Sequence, residues 1–209
     1  MKAINIKTEY LKNPLGIDID EPRVMWNCEG GTNQTAYRIV ADGWDSGKVK
    51  SNEMRCRIPV KFENGKRVNY KIKLWDENDA EGEWSEEAFF EYGIRNWAAK
   101  WITGNYEVDK TGYMKKEKIE KSFLASGINY LIESGKEPEK RFPVDCFMKE
   151  FCTDGNIRSA RLYATACGIY AAYINGEKVS MPLAPGITDY RKRVQYQTYD
   201  VTKLIKENN

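Results

Sequence analysis

The sequence predicts an all-β protein built from two β-sandwiches in series. Three observations carry that prediction. Short apolar-alternating segments recur at close spacing through the first ninety-odd residues, separated by proline and glycine, the pattern of a sandwich rather than of a βαβ unit. From Ala160 a strict period of two resumes, with Ala160, Leu162, Ala164 and Ala166 on one side and Arg161, Tyr163 and Thr165 on the other, the mark of a strand with one buried face. Asn175-Gly176 then stands between Tyr173-Ile174 and Glu177-Lys178-Val179, and both residues tolerate the positive φ of a tight hairpin turn.

In chain order, Asn13-Pro14-Leu15-Gly16 and Glu21-Pro22 punctuate the start, ahead of an apolar segment at residues 24–28. Strands are expected at residues 36–40, 54–60, 68–75 and 88–92. Between two of them, Asp76, Glu77, Asn78 and Asp79 crowd oxygen atoms into four residues. A calcium loop of the EF-hand kind needs a glycine at its bend and a distal glutamate, and Gly82 and Glu83 come at the wrong offsets, which favours a solvated turn. Trp75, Trp84, Phe89 and Phe90 read either as core and contact residues or as a sugar-stacking platform, with packing the better account of aromatics at strand spacing. Residues 103–142 form a Lys/Glu-rich stretch in which Met114, Ile119, Phe123 and Leu131 allow one amphipathic helix; Gly127 and Gly135 weaken it, and a linker is the alternative. The second sandwich is expected to open at Val144. Residues 182–186 read as rigid loop because proline fixes φ, and Val194, Tyr196, Thr198 and Val201 as the next strand.

Composition narrows the function. The chain has 209 residues, of which 41% are hydrophobic and 12% aromatic, enough for globular cores in one or two domains. Its 33 basic and 31 acidic residues leave a net charge of +2, which gives no reason to expect nucleic acid or an anionic membrane as partner. No apolar run approaches the ~20 residues of a membrane helix, and residues 1–10 lack an apolar signal core, so the expected location is cytoplasmic. The five cysteines show no CxxC spacing and read as free thiols. Histidine is absent, which removes Ser-His and Cys-His nucleophilic pairs from these residues.

Several motifs point further. Tyr173-Ile174-Asn175-Gly176, Leu183-Ala184-Pro185-Gly186, Thr188-Asp189-Tyr190-Arg191-Lys192-Arg193 and the run 196–202 (YQTYDVT) together resemble the N-terminal sandwich module of bacterial α-L-rhamnosidases, glycoside hydrolase family 78. The segments 44–49, 84–91 and 97–102 resemble what precedes that module and residues 146–151 resemble its first strand, so the likeness covers roughly residues 4–102 and 144–209. Trp26, the 36–40 strand and the 70–74 strand resemble a fibronectin type III or Ig-like sandwich, in which Tyr70 would be a corner tyrosine with its hydroxyl bonded to backbone. The implied organisation is a fibronectin type III/Ig-like β-sandwich over residues 1–94, a linker or insertion over 95–143, and over 144–209 the start of a jelly-roll-like β-sandwich whose remaining strands would follow. An open sheet edge at that point invites pairing with a second copy.

By this resemblance the parent enzyme hydrolyses terminal α-L-rhamnosides with inversion, using two carboxyl groups in a downstream (α/α)6 domain. Nothing in these residues reads as such a helical barrel, and no catalytic residue is assigned. The expected role is scaffolding for that downstream catalytic domain, with recognition of a rhamnose-containing carbohydrate as an addition. The candidate carbohydrate-binding or interdomain residues are Asp189, Tyr190, Arg193 and Tyr196, with Arg191 beside them: a carboxylate and guanidinium for hydroxyls and a ring for a pyranose face. The competing reading pairs Asp189 with Arg193, or sets the cluster against another domain. The resemblance allows a calcium ion, with no ligands assignable and no other cofactor implied. A stand-alone carbohydrate-binding or protein-interaction module is the alternative to the accessory role.

Overall fold

A computed structural model describes residues 1–104, 144–182, 184–186 and 188–209. It is all-β: the described residues contain fifteen strands and no helix. Two compact units can be separated, Met1–Ala98 with Glu150–Asn209, and Ala99–Lys149. These limits fall a few residues beyond the expected boundaries at 94/95 and 143/144. The expected amphipathic helix, with Met114, Ile119, Phe123 and Leu131, lies outside the described residues.

In the first unit, residues 1–98 form a sandwich of two antiparallel sheets. One sheet has the order β1-β2-β6, with β1 Lys2–Thr8, β2 Arg23–Glu29 and β6 Arg55–Arg57. The other is built on β3 (Ala36–Ala41) and β7 (Arg67–Trp75), in the order β4-β3-β7-β8; β5 also pairs with β3 and β9 with β7. The short members are β4 Trp44–Asp45, β5 Val49–Lys50, β8 Glu81–Trp84 and β9 Ala88–Glu91. The alternation works as expected in β7, where Val68, Tyr70, Ile72 and Leu74 are buried. They meet Val24 and Trp26 of β2 and Ile39 of β3 in one core. Trp26 packs edge-on to Tyr37 at 5.2 Å between ring centroids. Its indole N–H donates to Gln34 Oε1 at 2.8 Å, and the Gln34 amide donates to the Ser51 and Glu53 carbonyls. A buried polar side chain is thereby satisfied at both ends, as burial requires.

One detail of the sandwich departs from the sequence reading. The Tyr70 hydroxyl bonds the Thr8 side chain at 2.8 Å, not the backbone. The tyrosine that ties backbone is Tyr92, fully buried, whose hydroxyl reaches the carbonyls of Val60 at 2.8 Å and Asp20 at 3.0 Å. The acidic stretch at 76–79 is the expected turn, and each of its carboxylates has a partner, Asp79 pairing with Lys48 at 2.6 Å. Asp76 Oδ1 accepts the Asn78 and Ala80 amides, and Glu77 Oε2 accepts those of Thr32 and Asn33.

Residues 150–209 form three two-stranded antiparallel ladders: β10 (Arg161–Ala164) with β15 (Gln197–Asp200), β11 (Ile169–Tyr170) with β14 (Ala184–Pro185), and β12 (Tyr173–Ile174) with β13 (Glu177–Lys178). Asn175 (φ 51°) and Gly176 (φ 83°) make the expected two-residue turn, with Ile174 opposite Glu177. Part of the expected rigid loop pairs instead, since Ala184–Pro185 lies against Ile169–Tyr170. The expected first strand at 146–151 does not form. Pairing begins only where a partner exists, through reciprocal bonds of 3.0 Å between Phe151 and Asn209 and a bridge from Cys152 to Asn208. Burial here is sparse: among the described residues of 150–209 only Ser180, Ala184 and Val201 are fully buried. Leu162, Ile174, Val201 and Ile205 line an open apolar cleft of about 570 Å³.

In the second unit the described residues run without strands, and the Gly104 amide donates to Asp145 Oδ2 at 2.9 Å.

Candidate functional site: the joint within the first unit

The alternation that buries Ala88 and Phe90 in the sandwich core turns Phe89 and Glu91 of β9 outward. Glu91 is nonetheless only 4% exposed, because β10 covers it. Arg161 sits on the face of β10 opposite Leu162 and grips both carboxylate oxygens, Nε to Oε1 at 2.6 Å and Nη2 to Oε2 at 2.9 Å. This is the two-pronged geometry that a planar guanidinium offers a carboxylate. Arg67, directly across the ladder from Glu91, adds a second contact to Oε2 at 3.2 Å. The remaining Arg161 nitrogen reaches Asp200 Oδ1, the Ala160 carbonyl (both 3.0 Å) and the Thr202 hydroxyl (3.4 Å). Two cations and two carboxylates close the group electrically. Two of its charges hold their ordinary ionic forms more firmly: the Glu91 carboxylate pushes the Arg161 guanidinium up, and the Thr202 hydroxyl, with help from Arg161, pulls Asp200 down.

Tyr196 makes the second half of the joint. Its hydroxyl donates to Asp18 Oδ1 at 2.8 Å and accepts the Ile94 amide at 3.3 Å. Its ring meets Trp97 edge-on at 5.2 Å and Tyr163 at 6.3 Å. Burial, then the Asp18 carboxylate, drives the phenol pKa upward, so the hydroxyl stays a donor. Two glycines make room. A Cβ on Gly93 would fall 1.8 Å from the Tyr196 oxygen, and one on Gly16 would fall 2.4 Å from Thr198 Oγ1. Gly16 also has φ +79°, which a side chain rarely adopts.

The candidate residues therefore separate. Asp189, Tyr190 and Arg193 belong to an exposed turn, whereas Tyr196 faces residues 18, 94 and 97. Asp189 pairs with Arg191, Oδ1 to Nε at 3.1 Å, and not with Arg193. That pairing holds the Asp189 carboxyl below its usual range. The Asp189 carbonyl accepts the amides of Lys192 (2.8 Å) and Arg193 (3.1 Å), and the Arg193 carbonyl accepts from Thr188 Oγ1. The Arg191 side chain is 91% exposed. The aromatic residues weighed as a sugar platform are spoken for. Trp75 and Phe90 are buried, Phe89 lies under Arg67 at 3.9 Å, and Trp84 lies under Lys73 at 4.6 Å. For calcium, the described residues offer no group of three or more acidic, histidine or cysteine side chains that could hold an ion, and at 76–79 Asp76 and Glu77 accept amides while Asp79 pairs with Lys48. The described residues do not fit a calcium site.

Sequence reasoning missed Glu91, Arg161 and Asp18. Glu91 and Arg161 occupy outward positions of alternating strands, and only the outward charge of Arg161 opposite the apolar face of β10 hinted at a second contact.

The chain matches two family descriptions in succession: "Rha78A-like, N-terminal immunoglobulin domain" over residues 3–96, and "Alpha-L-rhamnosidase N-terminal domain" over residues 155–209. It is 33% identical over 224 residues to an α-L-rhamnosidase of Formosa agariphila, covering 95% of this chain and 21% of that protein. An α-L-rhamnosidase of an Alteromonas species is 28% identical, with 96% and 22% covered. Among solved structures, the α-L-rhamnosidase of Dictyoglumus thermophilum superimposes with a TM-score of 0.75 at 28% identity, over 100% of this chain and 24% of that one. The chain thus spans about a fifth of the length of the curated relatives it matches. With the two N-terminal domain types of one family in order along it, the chain belongs to the α-L-rhamnosidase family and corresponds to its N-terminal portion.

Proposed function

We propose that this chain is the accessory, non-catalytic front of an enzyme that hydrolyses terminal α-L-rhamnosides, and that it serves as a scaffold. In this reading the Ig-like sandwich is the rigid base on which the family's N-terminal module is held, and that module in turn bears on a downstream catalytic domain. The observation that carries the reading is the Glu91–Arg161 clamp. A buried, doubly bonded ion pair is a costly device whose best-attested use is to fix one arrangement among several, and here it ties β10, and through Asp200 the end of β15, to Glu91 of the sandwich. The test is hydrolysis of an aryl α-L-rhamnoside. This chain alone should release no phenol, and a longer protein carrying the catalytic part should be active and lose thermal stability on Glu91→Gln. Turnover by this chain alone would overturn the reading.

A second reading, direct carbohydrate recognition, rests on the exposed turn at 188–193, where Tyr190 stands beside the Asp189–Arg191 pair with its ring accessible. Titration with L-rhamnose, with and without calcium, should then move the amides of residues 188–193 saturably. An unchanged spectrum would remove it.

A further inference from the structure

The outer face of the three-stranded sheet carries three arginines that the joint does not use. Arg23 of β2 and Arg57 of β6 are paired residues in the antiparallel register, and Arg55 lies two residues along on the same face. Like charges directly opposite each other across a ladder destabilise it, so the arrangement calls for anionic compensation. The structure supplies only part of it. Arg23 holds Glu9 at 3.2 Å, and Arg55 holds Glu53 at 3.0 Å in a pair exposed on both sides, the kind that contributes little and yields readily to a competitor. Arg57 has a carbonyl for a partner, that of Glu21 at 3.0 Å. The Arg23 Nε is buried with no hydrogen-bond partner.

These three arginines line a cleft of about 480 Å³ together with Tyr37, Ser51 and Glu53. β6 is an edge strand. Its bonds to β2 run through Met54 (to the Trp26 amide) and Ile58 (to the Pro22 carbonyl). The alternation of an antiparallel ladder therefore turns the amides of Arg55 and Arg57 away from β2, to the open side. The Arg57 carbonyl, which would repel an anion there, already accepts from the Cys56 thiol at 3.3 Å. The Tyr37 hydroxyl is pushed up to about 12 by burial and the neighbouring Cys56, and so remains a donor at neutral pH.

We propose that this cleft binds an oxyanion, a carboxylate or sulfate group carried on a small polar ligand, with Arg57 as the principal contact and Arg55 exchanging Glu53 for it. Edge protection alone would need a charge on β6, but not the third arginine opposite it nor the orphaned Nε. The test uses the whole chain and amide-resolved NMR at fixed ionic strength, with sodium sulfate, D-glucuronate and neutral D-glucose as probes. Sulfate and glucuronate should shift the Ser51, Arg55 and Arg57 amides saturably, and glucose should not. Tighter binding of glucuronate would identify a carboxylate-bearing ligand, and tighter binding of sulfate a sulfate-bearing one. Arg57→Gln should weaken binding about tenfold or more with the rest of the spectrum unchanged, whereas Arg38→Gln, whose guanidinium pairs with Asp45 and is not part of the cleft lining, should leave it intact. Absence of saturable shifts, or equal shifts in Arg57→Gln, would overturn the proposal.

Discussion

Replacing Glu91 by glutamine keeps the shape of the side chain and removes its charge. The carboxylate accepts four bonds from two arginines at 2.6–3.3 Å, and it is almost fully buried. Its loss leaves Arg161, whose side chain is 12% exposed, with Asp200 alone as counter-ion. Removing one partner of a buried pair costs about 3–5 kcal/mol; the surviving Asp200 contact places Glu91→Gln near the low end, about 3 kcal/mol. For a unit of this size that corresponds to roughly 6–12 °C in Tm. Arg161→Met should cost a similar amount, since it strands Glu91 with Arg67. The double variant should be less destabilised than the sum of the two by about 1–3 kcal/mol, the range expected of residues in direct contact. Urea unfolding of the four proteins, followed by circular dichroism, measures that coupling. A coupling within about 0.5 kcal/mol of zero would refute the assignment of the clamp as the joint's main fastening.

Four further outcomes follow from the same geometry. Gly93→Ala puts a methyl group where the Tyr196 hydroxyl lies and should cost about 1–3 kcal/mol, with near-ultraviolet circular dichroism reporting the displaced Tyr196 and Trp97 rings. Thr198→Val should leave stability unchanged or raise it by up to about 1 kcal/mol, because the Thr198 hydroxyl is buried with no partner; thermal melts decide. Tyr92→Phe leaves the Val60 and Asp20 carbonyls without the phenol and should cost about 1–3 kcal/mol, read from the urea midpoint. The Asp200 carboxyl is depressed in the folded state, so its contribution is present above its unfolded value, about 3.9, and is lost as pH falls through the lower folded value. A stability profile below pH 5 should therefore be shallower in Asp200→Asn than in the parent chain.

Much of the sandwich was legible because its signal is local. The run Val68, Tyr70, Ile72, Leu74 states its own period, and Asn175-Gly176 states its own turn. β1 was missed because a bulge between Ile4 and Lys7, with Asn5 at φ 50°, breaks the alternation of Lys2–Thr8. Tyr70 and Tyr92 both follow the strand pattern, and only the approach of residues 20 and 60 marks Tyr92 as the one whose hydroxyl reaches backbone. The joint was illegible for the same reason. Glu91 and Arg161 are seventy residues apart, and each alone reads as a solvated charge on an outward position. The face of β10 predicted to be exposed, Arg161 and Tyr163, is half-buried because it has a sandwich to pack against. Tyr196, grouped by sequence with Asp189 and Arg193, answers to Asp18 across 178 residues.

The geometry of the joint makes the sandwich and residues 150–209 one mechanical body. Calorimetric unfolding of the chain, followed in parallel by hydrogen exchange at β7 and β15, tests it most directly. One transition is expected, with the β15 amides released together with those of β7. A separate, earlier transition in which β15 exchanges while β7 stays protected would contradict it.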